Sequence, residues 1–345
     1  MTATAADRPS SRDGFIRLWL WTLAALVFAM VLVGGATRLT DSGLSITEWQ
    51  PILGVLPPLN EAQWIEALEK YKAIPEYRLI NRGMSLAQFK SIYWWEWTHR
   101  FLGRFIGLVL LLPLALLWLT RRLDARMIRP LLLLLLLGGL QGALGWYMVR
   151  SGLAERTDVS QYRLAAHLLL AAVIYASIVW IAAGLSFGRP RHDSRKAAPA
   201  LALLFLIFLQ IGLGALVAGL DAGLAHNGFP LMDGKFIPDG LMIIAPWWRN
   251  LFENALTVQF LHRLLAYAIA LAAVFNLVQL WRSGAGRALK RSALALLSLV
   301  ILQMALGVWT LLAGVPLPLG LLHQAGAMLL LTAGILHLHL VMRRI

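Results

Sequence analysis

Four of the eight histidines, His99, His167, His262 and His323, stand inside apolar stretches and recur in register. Thr98-His99-Arg100-Phe101-Leu102 is echoed 163 residues later by Leu261-His262-Arg263-Leu264-Leu265, and Ala166-His167-Leu168 by Leu322-His323-Gln324. A neutral imidazole can ligate a metal without carrying charge into an apolar medium. Two imidazoles on different helices at one depth suit an iron held in a porphyrin, one on each face. The pairs His99/His167 and His262/His323 therefore predict two haem sites. The competing readings are a duplicated structural pair, or a zinc or copper ion. The recurring pattern brings no cysteine, carboxylate or thioether of the kind those ions favour.

Each half adds a cation and differs in one acid. Arg100 and Arg263 follow the first histidine of each pair, where a guanidinium can meet haem propionates or simply snorkel. Glu96 precedes His99 by three residues, and Gln259 precedes His262 by three, so each shares a helical face with its histidine. A base beside one site and an uncharged isostere beside the other predict a catalytic half and an electron-relay half. Against this stands Glu96 as a helix N-terminal carboxylate favoured by the macrodipole. His226 falls in an outer loop, His192 in a basic inner loop, and His337 and His339 near the inner end of the last apolar run, where solvated or interfacial roles are expected.

Eight apolar runs must position these groups, near 15–39, 98–120, 130–149, 162–185, 199–220, 256–281, 292–313 and 319–342. Each is long enough to cross about 30 Å of hydrocarbon. With 59% hydrophobic residues, 14% charged residues and a mean hydropathy of +0.70, the chain reads as an all-α integral membrane protein. The net charge of +14 does not imply nucleic acid, because it is one-sided. The termini and the short even-to-odd connections hold 17 of the 31 lysines and arginines but only four acids, which predicts that both termini face the cytoplasm. There is no cysteine, which excludes thiol chemistry. Met1–Gly14 precedes a full-length apolar run rather than a cleavable one, and a bacterial inner membrane is the expected address.

The register continues between Leu140-Gln141-Gly142-Ala143-Leu144-Gly145-Trp146 and Leu302-Gln303-Met304-Ala305-Leu306-Gly307-Val308, and between Asp41-Ser42-Gly43 and Asp221-Ala222-Gly223. Units of four crossings return the chain to one side, so the halves are predicted to be parallel four-helix-bundle repeats. The expected division is a tail over 1–14, an N-terminal repeat over 15–185, a basic linker over 186–198 and a C-terminal repeat over 199–342. The outer loop over 41–97 is expected to be ordered. Asn60 with Gln63 and Ser85 with Gln88 make capping boxes ahead of two short amphipathic helices.

Several further segments resemble a known family. These are Gly34-Gly35-Ala36-Thr37-Arg38-Leu39-Thr40 with Ser42-Gly43-Leu44-Ser45, Tyr71-Lys72, Pro75-Glu76-Tyr77, Phe89-Lys90 with Ile92, and Glu96-Trp97-Thr98-His99-Arg100. Together with the four histidines they are similar, over nearly the whole chain, to haem A synthases of the cysteine-free form found in mitochondria and related proteobacteria. The resemblance implies oxidation of a methyl group of haem O to a formyl group by successive hydroxylations and loss of water. It implies that His99 and His167, with Arg100, hold the substrate haem O. It further implies that His262 and His323, with Arg263, hold a resident haem b, and that Glu96 is the essential carboxylate. It also implies contacts with the haem O-forming farnesyltransferase and with oxidase assembly factors. Relatives with a cysteine pair in the first outer loop differ here, so no thiol relay applies.

A second class of reading is a non-enzymatic dihaem cytochrome b passing electrons between quinol and a partner, for which Glu96 has little use. A transporter would show broken helices near the midplane, with Pro113 the candidate break. The residues are silent on monomer against homo-oligomer.

Overall fold

A computed structural model of the chain describes residues 11–50, 53–154, 156–188 and 194–344. Arg8, Arg189, Arg191 and His192 lie outside the described residues. The elements run α1 (Ser11–Leu39), a 3-10 turn (Leu53–Val55), α2 (Glu61–Lys72), α3 (Pro75–Leu79), α4 (Leu86–Leu119), α5 (Ala125–Ala154) and α6 (Gln161–Phe187). They continue as α7 (Ser194–Gly219), α8 (Ala222–Ala225), a 3-10 turn (Trp247–Arg249), α9 (Asn250–Glu253), α10 (Ala255–Arg282), α11 (Arg287–Leu312) and α12 (Leu317–Arg344). Eight of these helices are long and apolar enough to cross a membrane, and the chain is a multi-pass membrane protein.

α1, α4, α5 and α6 contact one another around a closed ring, as do α7, α10, α11 and α12. The rings join where α12 packs on α1 and α6, and α6 packs on α7. Leu20, Leu23, Leu203, Ile207, Met328 and Leu331 are buried in one core running through both. Polar ties cross the same seam. The Tyr175 hydroxyl lies 2.7 Å from Thr332 Oγ1, and Gln324 Nε2 donates to the Val31 carbonyl at 2.9 Å. Gly35 makes the second tie feasible, since an added Cβ would lie 1.8 Å from Gln324 Oε1. α1 and α7 both end in a left-handed aspartate, Asp41 (φ 46) and Asp221 (φ 50), a conformation aspartate tolerates. Arg38 binds both carboxylates, at 2.9 and 2.8 Å.

The connections from α1 to α4 and from α7 to α10 mark what is called below the loop end. In the first, Asn60 caps α2, its side chain accepting from Gln63 N, while Gln63 Oε1 accepts from Leu59 N rather than from the cap residue. The Ser85/Gln88 capping box forms as expected, but the helix it opens is not a separate surface piece. No glycine or proline interrupts Leu86–Phe101, so α4 runs unbroken into the span and begins twelve residues before the expected Thr98. Pro113 does not break it either. Trp64, Leu68, Tyr71, Phe89 and Tyr93 make a small second core that caps the N-terminal ring.

Asparagines organise the second connection, 220–254. Asn250 bridges Ile244 N, Ile244 O and Trp247 O, and Asn254 caps α10 while donating to the Gly240 carbonyl. Asparagine does this because one amide offers both donor and acceptor to a folded-back backbone.

Glu76 is buried in the first cap at 4% exposure. Burial, then the nearby charges of Asp41 and Glu96, push its pKa up to about 8, against a smaller lowering by the Tyr71 hydroxyl. The folded chain thus holds a proton that the unfolded chain, with its ordinary value of 4.5, has released. The stability this confers is full below the unfolded value and is lost as pH rises towards 8. Apparent melting temperature in detergent should fall across this window for the native chain and stay level for Glu76→Gln.

Candidate functional site

The helices that start at the loop end carry the four histidines. His99 is the fourteenth residue of α4, His167 the seventh of α6, His262 the eighth of α10 and His323 the seventh of α12. His99 stands deeper in its helix only because α4 starts early. Within each ring the two imidazoles are near enough to interact electrostatically, His99 with His167 and His262 with His323.

Every imidazole faces a glycine on the neighbouring helix. A Cβ added to Gly34 of α1 would lie 2.9 Å from His99 Cε1, and one on Gly145 of α5 would lie 3.0 Å from His167 Cε1. For Gly214 of α7 and His262 the distance is 3.3 Å, and for Gly307 of α11 and His323 it is 2.7 Å. Bare backbone is therefore what leaves room for each ring.

Three rings also meet a glutamine one turn along from that glycine. The amide nitrogens of Gln141, Gln210 and Gln303 donate to the backbone carbonyls of His167, His262 and His323 at 3.1, 3.0 and 2.8 Å. They also lie 3.2 Å from His167 Nδ1, 3.2 Å from His262 Nε2 and 3.1 Å from His323 Nδ1. Among the described residues His99 has no such neighbour. Gln141, Gly145, Gln303 and Gly307 were visible in the repeated segments, but their facing the histidines is a tertiary fact that no single helix displays.

Glu96 is the eleventh residue of α4 and 2% exposed. Its depth removes the macrodipole explanation, which applies to a first turn. Oε2 accepts from Ser45 Oγ and from Ile46 N, each at 2.7 Å, and Oε1 accepts from Arg100 Nη2 at 2.6 Å. Gln259, at the matching place, is 3% exposed and its Oε1 has no partner.

The two arginines stand in different surroundings. Arg100 donates to Glu96 and to the carbonyls of Ile46 and Glu48 at 2.7 and 3.0 Å. Arg263 donates from Nη2 to the His226 carbonyl at 3.1 Å and keeps Nε and Nη1 buried without partners. Buried unpaired donors are costly, and a carboxylate would satisfy them.

These features suit haem. Among the described residues no three histidine, cysteine or acidic side chains cluster to hold a bare metal ion, which would need three or four ligands. A porphyrin iron needs two, and each ring of helices presents two. The unpartnered Nδ1 atoms of His99 and His262 and the free donors of Arg263 are the orphaned groups that an iron and a propionate would engage.

The remaining histidines divide. His226 pairs with Asp233 at 3.2 Å in the second loop. His337 and His339 are not solvated as expected: both are 1% exposed, because α12 is packed between the two rings of helices. His337 lies between Asn276 Nδ2 at 2.9 Å and Ser292 Oγ at 2.8 Å, and His339 packs edge-on to Trp180.

Comparison with known proteins gives a consistent match. A protein named Heme A synthase from Brucella ovis is 51% identical over 323 residues, covering 93% of this chain and 90% of that protein. One from Allorhizobium ampelinum is 49% identical over 342 residues, covering 97% and 93%. The model of the COX15-CtaA family, described as cytochrome oxidase assembly protein, matches residues 17–335. With a family match over nearly all of both helix rings, the chain belongs to the COX15-CtaA family.

Proposed function

We propose that this chain is a haem A synthase that oxidises a methyl group of haem O to the formyl group of haem A. The carrying observation is the buried carboxylate of Glu96, one turn from His99, set against the uncharged Gln259 beside His262. His99 and His167 hold haem O, and His262 and His323 hold a resident haem b. Haem b, when bound, supplies one-electron transfer.

The residues of the chain bind, orient and accept protons. Methyl becomes hydroxymethyl, then a geminal diol that loses water to give the formyl group; each of the two hydroxylations withdraws two electrons, which pass to an oxidant supplied from outside the chain, and each removes a carbon-bound hydrogen. Glu96 is placed to receive such a proton. Ser45, Ile46 N and Arg100 hold its two oxygens in fixed directions. The cap formed by Tyr71, Phe89 and Tyr93 closes the loop end above it and limits water there. Arg263 takes a propionate of haem b.

In this reading the loop end faces away from the cytoplasm of a bacterial inner membrane, and the basic end with both termini faces the cytoplasm. The two rings of helices are parallel repeats. Haem O arrives from the farnesyltransferase that forms it, and haem A passes on to oxidase assembly.

Identification of the haems in the purified protein tests the proposal. Haem b together with haem O, haem A or a hydroxylated intermediate is the expected content. Haem b alone, at two per chain, would replace the enzyme with a dihaem electron carrier.

A further inference from the structure

The helices that face the histidines share one spacing, a residue followed four places later by glycine. It reads Gln141/Gly145 on α5, Gln210/Gly214 on α7 and Gln303/Gly307 on α11, but Met30/Gly34 on α1. Met30 and Gln210 occupy matching places, as Asp41 and Asp221 do, each pair 180 residues apart. Met30 Cε lies 3.3 Å from where a Cβ on Gly103 would stand, one turn beyond His99 on α4. The thioether thus sits where the other three sites have an amide.

The three amides hold more than helix contacts. Each donates to the backbone carbonyl of its histidine and touches the ring, and the Oε1 atoms of Gln141, Gln210 and Gln303 are all buried without a partner. An iron takes one imidazole nitrogen and leaves the other as an N–H that needs an acceptor. A turn of the amide, still anchored on the carbonyl, offers Oε1 to that N–H. At His99 no described glutamine offers such an acceptor, because the matching residue is Met30. A thioether accepts hydrogen bonds only weakly.

We infer that Gln210, Gln303 and Gln141 are positioning residues that brace His262, His323 and His167, and that Met30 leaves His99 as the one unbraced ligand. The His262/His323 site is braced on both faces and retains its haem. The His99/His167 site is braced on one face only and exchanges its haem. This assignment of exchange rests on the proposed function, in which that site must take up a substrate and release a product.

The near-isosteric swaps Met30→Gln and Gln210→Met test it, with haem transfer to apomyoglobin followed in stopped flow and low-spin electron paramagnetic resonance and midpoint potentials recorded. The native chain should show a fast and a slow phase. Met30→Gln should slow the fast phase alone, and Gln210→Met should speed the slow phase alone, each by about 10- to 100-fold, the usual effect of losing or gaining a ligand's outer hydrogen bond. Gln210→Met should also raise the potential of its haem, because an unbraced imidazole donates less to ferric iron. Unchanged rates, spectra and potentials in both variants would overturn the inference. A native chain that binds no haem at either pair would instead defeat the proposed function.

Discussion

Glu96→Gln should reduce conversion of haem O to haem A by about 100-fold or more, the usual worth of a positioned base, while both haems stay bound. The readout is the ratio of haem A to haem O extracted from membranes that also contain the haem O-forming enzyme. Because Glu96 also anchors the loop through Ser45 and Ile46, a structural role must be separated from a chemical one. Ser45→Ala does this, since it removes one of the bonds to Oε2 and leaves the carboxylate in place. Losing such a bond costs about 1 kcal/mol, hence about tenfold or less. Equal, small losses in both variants would make Glu96 an anchor and nothing more.

His262→Gly should strip the C-terminal haem and take the oxidation with it. His262 faces Gly214 and is braced by Gln210, and among the described residues no other side chain lies within hydrogen-bonding distance of its ring. Haem content should fall from about two to about one per chain, counted by the pyridine haemochrome of the purified protein. Added imidazole should restore the lost haem by filling the space left by the side chain. A histidine that served only packing would leave the haem content unchanged and respond to no added ligand.

Much of this arrangement could be read from the sequence because lipid simplifies the problem. Eight long apolar runs admit little but eight helices, and the observed spans fall where expected within a few residues except at α4. There the apolar pattern marks the start of hydrocarbon and not the start of the helix, so Leu86–Trp97 was read as a separate surface piece. The four histidines were legible because a buried imidazole repeated in register is conspicuous among leucines. Their glycine and glutamine neighbours were not, although Gln141 and Gln303 stood in plain view within the repeats. Which residue on one helix faces a ring on another depends on helix rotation, which composition does not set.

The same limit hid the surroundings of Arg100. An arginine after a histidine looks alike in both halves, yet only the first half has Glu96 and the chain turn at Ile46–Glu48 to claim it. The burial of His337 was equally hidden, because the C-terminal end of α12 looks terminal in sequence and central in space. Order in the second loop rests on Asn250 and Asn254, whose bonds back to 240–247 join residues with no visible pattern between them.

The most direct test of the central claim is complementation in a bacterium that makes haem O but lacks its own haem A-forming enzyme. Supplying this chain should convert the membrane haem pool from haem O to haem A, seen by mass as a gain of one oxygen and a loss of two hydrogens. Haem O that persists unchanged, while the chain accumulates in the membrane with its haem b bound, would contradict it.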